Sequence, residues 1–325
     1  MTTTLPRPDL PASPSPTPSS TPRSSRRVVL TAALVVGLLV AGGVAALVVH
    51  RVRTSDLRRA YLGRDGWPVS GQAAYRLGGA GVPVTVRSSP GQNAAPIASL
   101  AKVMTAYVVL RAQPLRDGEQ GPVYTVTAAD EQDYRARRAR NESVVRVETG
   151  EHITERQALA ALLLPSANNV AVLLARRIGG TTAGFVVRMN AVARSLGMAQ
   201  TRYTDPSGYD PRTVSTARDQ LTLAGAVAGD AVFADLVSRT SYRVPVAGSV
   251  RNTDALLGRE GFIGTKTGSD DAAGGCFMFR TWRVARGRVT DMLGVVLGQH
   301  GRHDITAGLQ AARQLARTVG PAAGG

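Results

Sequence analysis

A chain of 325 residues suffices for one large domain or two small ones, and at 43% hydrophobic and 5% aromatic its core must be built of Ala, Val and Leu rather than rings. Lys and Arg total 39 against 23 Asp and Glu, a net charge of +16 that suits an anionic membrane or cell wall as well as nucleic acid. No basic run interleaved with aromatics and no zinc-finger, helix-turn-helix or RNA-recognition pattern accompanies that charge, so nucleic acid is not expected as a partner.

Residues 1–27 are rich in Pro, Ser and Thr and are expected to form a disordered tail, because such a composition buries too little apolar surface to offset its ordering entropy. Residues 28–49 are apolar without one charge; about 20 such residues span a bilayer core as a helix. The stretch is longer than a signal-peptide core and runs into His50, Arg51 and Arg53 instead of a small-x-small cleavage site, so an uncleaved single-pass anchor is expected. Arginines flank both sides, and the positive-inside rule does not orient the span. Residues 50–69 read as a linker, 70–320 as one globular domain and 321–325 as a short disordered tail.

Within the domain, residues 82–87 alternate like a strand. Residues 99–112 are apolar, free of Gly and Pro, and helical in pattern, with Pro96 just ahead. Residues 144–147 read as a strand. Residues 154–164 and 169–178 read as helices on either side of the break Pro165-Ser166-Ala167-Asn168. Residues 262–268, 275–284 and 292–299 read as three strands, the last two joined through Arg286-Gly287-Arg288. Residues 304–319 close the domain as an amphipathic helix. Strands early and late around a helical middle predict an α+β domain, with the first strand pairing into a mostly antiparallel sheet.

Cys276 is the one cysteine, which excludes an internal disulfide and a cysteine-based metal site. His300 and His303 stand three apart at the end of an apolar run with no third ligand placed to serve, so no metal is expected there. The lysines are more telling. Lys102 and Lys266 are the only two, leaving 39 − 2 = 37 arginines. Lysine can give up its proton and arginine cannot, so two lysines in an arginine chain mark places where that difference matters.

Ser99-Leu100-Ala101-Lys102 puts a hydroxyl and an amine three residues apart at a helix start, on one face and within hydrogen-bond reach. The free N–H groups and positive dipole of a helix N-terminus favour an oxyanion there. Ser166-Ala167-Asn168 offers a hydroxyl and an amide from a loop between two apolar helices, although Ser and Asn also commonly mark turns and caps. Lys266-Thr267-Gly268 ends a hydrophobic strand, where an ammonium and a hydroxyl can face a cleft and the glycine lets a substrate strand lie close.

Taken together and in this order, the three motifs resemble the signature of serine penicillin-binding proteins and class A β-lactamases. Residues 96–106 resemble the nucleophile segment of D-alanyl-D-alanine carboxypeptidases. So do Leu196-Gly197-Met198, Thr204-Asp205-Pro206-Ser207-Gly208, Ser215-Thr216-Ala217-Arg218-Asp219, Asn252-Thr253, Leu256-Leu257-Gly258, Gly264 to Gly268 and Ala272-Ala273-Gly274. The similarity runs over about residues 70–318. It implies the transpeptidase-like α+β fold, with an antiparallel sheet and a helical subdomain. It also implies an activity: removal of the terminal D-alanine from peptidoglycan stem peptides, with β-lactam antibiotics as inhibitors.

By this resemblance Ser99 attacks the D-Ala-D-Ala carbonyl, Lys102 is its base and Ser166 relays a proton to the leaving amine. Asn168 holds the substrate backbone, and Lys266 and Thr267 grip the terminal carboxylate. Gly268 admits the substrate strand, and the backbone N–H groups of Ser99 and Ser269 form the oxyanion hole. No metal or organic cofactor is implied. The cell-wall substrate places the N-terminus in the cytoplasm and the catalytic domain outside the cell membrane.

Three features depart from the family pattern: Gly78-Gly79-Ala80-Gly81 replaces an Asn-rich lead-in, Asn169 stands where Asp is common, and no second β-domain follows residue 320. A class A β-lactamase needs a glutamate acting through water, and Glu260 is the only Glu between Asn168 and Lys266. The remaining alternative is a weakly active or non-catalytic module that binds wall peptide or penicillin.

Overall fold

The computed structural model describes residues 63, 65–79, 82–285 and 288–319. The expected tail 1–27, the apolar stretch 28–49, most of the 50–69 linker and the tail 321–325 lie outside the described residues. So do Arg286 and Gly287.

Five strands build the main sheet: β1 (Gln72–Gly79), β2 (Val82–Ser88), β3 (Phe262–Asp270), β4 (Gly274–Ala285) and β5 (Arg288–Gln299). Their order is β2-β1-β5-β4-β3, antiparallel throughout. The mixed helix and antiparallel sheet expected from the sequence is present, with one change in how the chain closes. The strand expected at 82–87 lies at the sheet's edge and joins only through β1, which pairs with the last strand from Gln72↔Leu297 to Gly79↔Thr290. The folded unit also starts ahead of residue 70, since Trp67 packs on Tyr75 with ring centroids 5.6 Å apart.

Alternate residues of each strand face opposite sides. On one side Ala73, Phe277, Phe279, Met292 and Val296 meet Ala311, Ala312 and Leu315 of the closing helix, α8 (Asp304–Val319). On the other, Ala74, Met278 and Val295 join the larger core with the helical layer. At its centre runs α1 (Ala101–Ala112), whose residues Ala101 to Ala106 are all buried. A helix apolar all round belongs inside a domain, which is why this segment carries no polar stripe.

Around α1 pack α2 (Ala128–Ala139), α3 (Glu155–Leu163), α4 (Asn168–Gly179), α5 (Thr182–Ser195), α6 (Ala217–Val227) and α7 (Ala231–Val237). Thr154 opens α3 through a capping box, accepting from Gln157 N while the Gln157 side chain accepts from Thr154 N.

The strand expected at 144–147 is absent. This segment pairs with no other strand; instead Asn169 takes both backbone groups of Val145, accepting from its N–H at 3.0 Å and donating to its C=O at 2.8 Å. An aspartate has no donor for the second bond, so the Asn at this position fits the segment it holds.

Asp130 fixes α2 against α4. Burial pushes its carboxyl up, but hydrogen bonds from Thr127 and the guanidiniums of Arg177 and Arg176, at 3.0 and 3.1 Å, hold it below the usual carboxylate range. The stabilisation is therefore present above the ordinary Asp pKa and lost as pH falls below it. Asp130→Ala leaves two arginines unpaired and should lower stability by about 2–4 kcal/mol. Denaturant melts at pH 7 should show the loss, and melts at acidic pH should show the two proteins converging.

Candidate functional site

Ser99 lies in a single 3-10 turn, Ala98–Leu100, that feeds directly into α1. That turn is forced. Ala98 has φ +45°, a left-handed conformation costly for a residue with a side chain. Its carbonyl packs on Gly208, where an added Cβ would lie 1.8 Å from Ala98 O. The third side of the turn is Gly268, whose added Cβ would lie 3.0 Å from Ser99 N and 3.2 Å from Leu100 N. Only a bare backbone lets β3 approach the Ser99 turn so closely.

One helical step on, Lys102 is fully buried, its Nζ 2.7 Å from Ser99 Oγ and 2.9 Å from Ser207 O. Burial drives the amine well below its ordinary pKa, and the nearby Lys266 pushes the same way. That shift favours the neutral amine, which beside the half-buried Ser99 hydroxyl can act as a base in contact with its proton source. The carbonyl of Ser207 is aimed by Asp205, whose carboxylate accepts from Ser207 N at 3.0 Å, Ser207 Oγ at 2.5 Å and Thr213 Oγ1 at 2.7 Å.

Ser166 caps the turn between α3 and α4 in a second left-handed conformation, φ +67°, and its Oγ is buried with no hydrogen-bond partner among the described residues. Asn168 opens α4, and its amide donates to Glu142 Oε2 at 2.8 Å. Glu142 is saturated: Arg137 also binds Oε2 at 2.7 Å, and Arg140 binds Oε1 at 2.7 Å. Burial opposes its charge, but Asn168 and the two arginines hold its pKa low. A carboxylate so fully engaged orients the amide of Asn168 and has no free lone pair for proton transfer.

Lys266 and Thr267 are buried on β3, and Gly268 follows them; Ser269 is the exposed next residue. Burial lowers the Lys266 amine to about 7 against the opposing pull of Asp254, and its Nζ donates to Thr267 O at 2.8 Å. Asp254 is itself raised by burial to about 6 and leaves Oδ2 unpartnered. Thr267 Oγ1 lies 2.6 Å from Thr253 Oγ1. β3 is the sheet's edge strand, so one side of its backbone is free to pair with an extended ligand.

The three motifs thus come from a buried helix, a helix–helix turn and a sheet edge. The turn of Ser99 lies against Gly268, and the Lys102 amine feels the charge of Lys266, Arg137 and Glu142. Glu142, Asp205, Thr253 and Asp254 were not singled out from the sequence. Asp205 and Thr253 stood inside segments carrying the family resemblance, whereas Glu142 gave no signal. Glu260 is far from this chemistry: its carboxylate is held by Arg313 and Arg317 of α8. It cannot supply the water-activating glutamate of a class A β-lactamase.

The family model for D-alanyl-D-alanine carboxypeptidases, peptidase family S11, matches residues 87–300. A D-alanyl-D-alanine endopeptidase of Escherichia coli strain K12 is 34% identical over 197 residues, covering 57% of this chain and 59% of its own length. The chain therefore spans under two thirds of that relative. The D-alanyl-D-alanine carboxypeptidase DacB2 of Mycobacterium tuberculosis H37Rv is 35% identical over 210 residues, 62% of this chain and 68% of that one. The crystal structure of the Streptomyces K15 DD-transpeptidase superposes with a TM-score of 0.63 at 26% identity, covering 77% of this chain and 97% of that one.

Two buried lysines of depressed pKa have a consequence for stability. The unfolded chain binds protons at both that the folded chain does not, so the two amines make stability rise with pH from about 7 toward the ordinary lysine pKa of about 10.4. The Cys276 thiol, pushed up to about 12 by burial against an ordinary value of about 8.5, offsets part of that rise above about 8.5 without reversing it. Lys266→Met should flatten the rise, as read from melting temperatures across this window.

Proposed function

The chain belongs to the D-alanyl-D-alanine carboxypeptidase family of peptidases, and from that membership we propose that it is a serine-type D-alanyl-D-alanine carboxypeptidase acting on peptidoglycan stem peptides and acylated by β-lactams. The observation that carries the reading is the buried Lys102 amine 2.7 Å from Ser99 Oγ. Lys102 takes the proton of Ser99 as Oγ attacks the penultimate D-alanine carbonyl. The N–H groups of Ser99 and Ser269 receive the oxyanion, and Ser166 passes the proton to the departing D-alanine amine. The resulting ester on Ser99 is hydrolysed by water. Asn168, held by Glu142, hydrogen-bonds the substrate backbone along β3, and Gly268 lets it lie close. Lys266 and Thr267 bind the terminal carboxylate. No step calls for a metal or organic cofactor.

Residues 28–49 serve as a single-pass anchor, with the tail 1–27 in the cytoplasm and the catalytic domain from about residue 70 to 320 outside the membrane. The names of the endopeptidase relatives favour a second reading of the same chemistry, in which the leaving amine belongs to a cross-linked stem peptide. Release of free D-alanine from a pentapeptide ending in D-Ala-D-Ala, set against cleavage of a cross-linked dimer, separates the two. No turnover of either, with penicillin still bound, would support a non-catalytic binding module.

Lys102→Arg keeps most of the length but is permanently charged and cannot accept a proton, so acylation by penicillin should fall about 10²–10⁴-fold, the scale of general-base catalysis. Lys266→Arg should instead weaken binding at limiting penicillin and retain more of the chemistry at saturation. A folded Lys102→Arg protein acylating at the wild-type rate would remove Lys102 as the base.

The pH profile carries an independent check. Acylation needs Lys266 charged, so the rate should decline above about 7, where that amine loses its proton. Asp254→Asn removes the anion that favours the Lys266 cation, and should move the declining limb to lower pH. An unmoved limb would mean that Lys266 does not set it.

A further inference from the structure

Four of the eight large apolar side chains exposed on the described residues gather at one end of one sheet face: Val84 (59%) and Val86 (57%) on β2, Trp282 (48%) on β4 and Val289 (42%) on β5. The register puts them side by side, since directly paired residues point the same way. Arg76 pairs with both Val86 and Leu293, and Asp291 pairs with both Gly78 and Trp282. Gly78 keeps the face flat, its added Cβ lying 3.3 Å from Val84 Cγ2. Val289 is two residues from Asp291 on the same strand and so faces the same side.

This is the face whose other end is buried. Ala74, Met278 and Val295 lie in the main core, under the helices that carry the reaction centre. The cover stops where α6 ends; Arg280 reaches Ala228 O at 3.4 Å, and beyond it the strands run on without a helix. A solvated sheet face is ordinarily polar. Here its charged groups are the Arg280–Asp291 pair, with Arg280 5.4 Å over the Trp282 ring, and Arg76, which is exposed and has no acidic partner among the described residues. Val and Trp with an unpaired Arg suit a surface apolar in depth and anionic at its face.

The chain enters the fold at this same end. Gly66 lies beside Thr318, an added Cβ being 3.6 Å from its Cγ2, at the end of α8 where Arg313 and Arg317 hold Glu260, two residues before β3 begins. Only residues 50–62 separate the apolar stretch 28–49 from residue 63, a reach of at most about 45 Å. We propose that this uncovered end of the sheet docks on an anionic lipid bilayer, with Val84, Val86, Val289 and Trp282 at the headgroup boundary and Arg76 on lipid phosphates. The proposal rests on the anchor reading above. Docked this way, the strands carry the Ser99–Lys266 site to the end of the sheet away from the bilayer.

The test uses the full chain in phosphatidylglycerol vesicles containing bromine-labelled acyl chains. The chain has two tryptophans, Trp67 and Trp282, so Trp67→Phe leaves Trp282 as the sole reporter; the difference between wild type and Trp282→Phe gives the same signal should Trp67→Phe fold poorly. The expected result is loss of most Trp282 emission to the brominated lipid, with protection from aqueous iodide. Val84→Glu with Val86→Glu should abolish that loss while penicillin acylation stays unchanged. Co-flotation of the chain with Trp282 open to iodide and untouched by bromine overturns the docking and leaves the anchor standing. Failure to co-float overturns both. Trp282 already shielded from iodide in detergent, without lipid, would assign the face to a second protein chain and overturn the proposal.

Discussion

An amine with no access to water does not keep its proton cheaply, and the architecture of the site follows from placing one there. Lys102 lies in the fully buried first half of α1, with Ser99 Oγ and Ser207 O as its two partners. Neither partner carries a formal charge, so nothing in direct contact restores the ammonium. The segment around Asp205 exists in its present form to close this pocket: its carboxylate ties the turn, Thr105 Oγ1 donates to Pro206 O at 2.6 Å, and Gly208 lets the turn press on Ala98. The second lysine completes the effect at a distance, a buried cation that disfavours a proton on the first.

Two of the four strained non-glycine residues among the described ones mark where this arrangement is held against local preference. Ala98 and Ser166 both sit at positive φ without being glycine, each immediately before or within a motif. Such conformations cost about 1–3 kcal/mol each and persist only where the surroundings fix them. For Ala98 the surroundings are Gly208 and the helix it feeds; for Ser166 they are two buried helices, α3 and α4, packed at either side of a four-residue break. Glu142 plays the corresponding part for Asn168. With two arginines and an amide on its oxygens, it fixes the orientation of the Asn168 side chain at the start of α4.

Much of this was legible in the sequence. The two lysines stood out in a chain of arginines and the fold buries both, and the strand–strand–strand–helix ending from residue 262 reads as predicted, because long apolar alternation and an amphipathic helix are strong local signals. What escaped was non-local. β1 reads Gln-Ala-Ala-Tyr-Arg-Leu-Gly-Gly, with small residues and glycines that carry little strand preference, and it is a strand because β5 pairs with it from the far end of the chain. Residues 144–147 have the composition of a strand but find their partner in the side chain of Asn169. Glu142 and Asp254 could not be recognised, since a carboxylate's role depends on which buried cation or amide lies across from it.

The account stands or falls on Ser99 as the group that becomes acylated. Intact-mass measurement of the full chain after exposure to a penicillin, followed by peptide mapping, reads this directly. One added acyl mass on the peptide containing Ser99, absent from Ser99→Ala, is the predicted result. An adduct on another residue, or a folded protein that takes up none, would contradict the assignment of the site and the chemistry built on it.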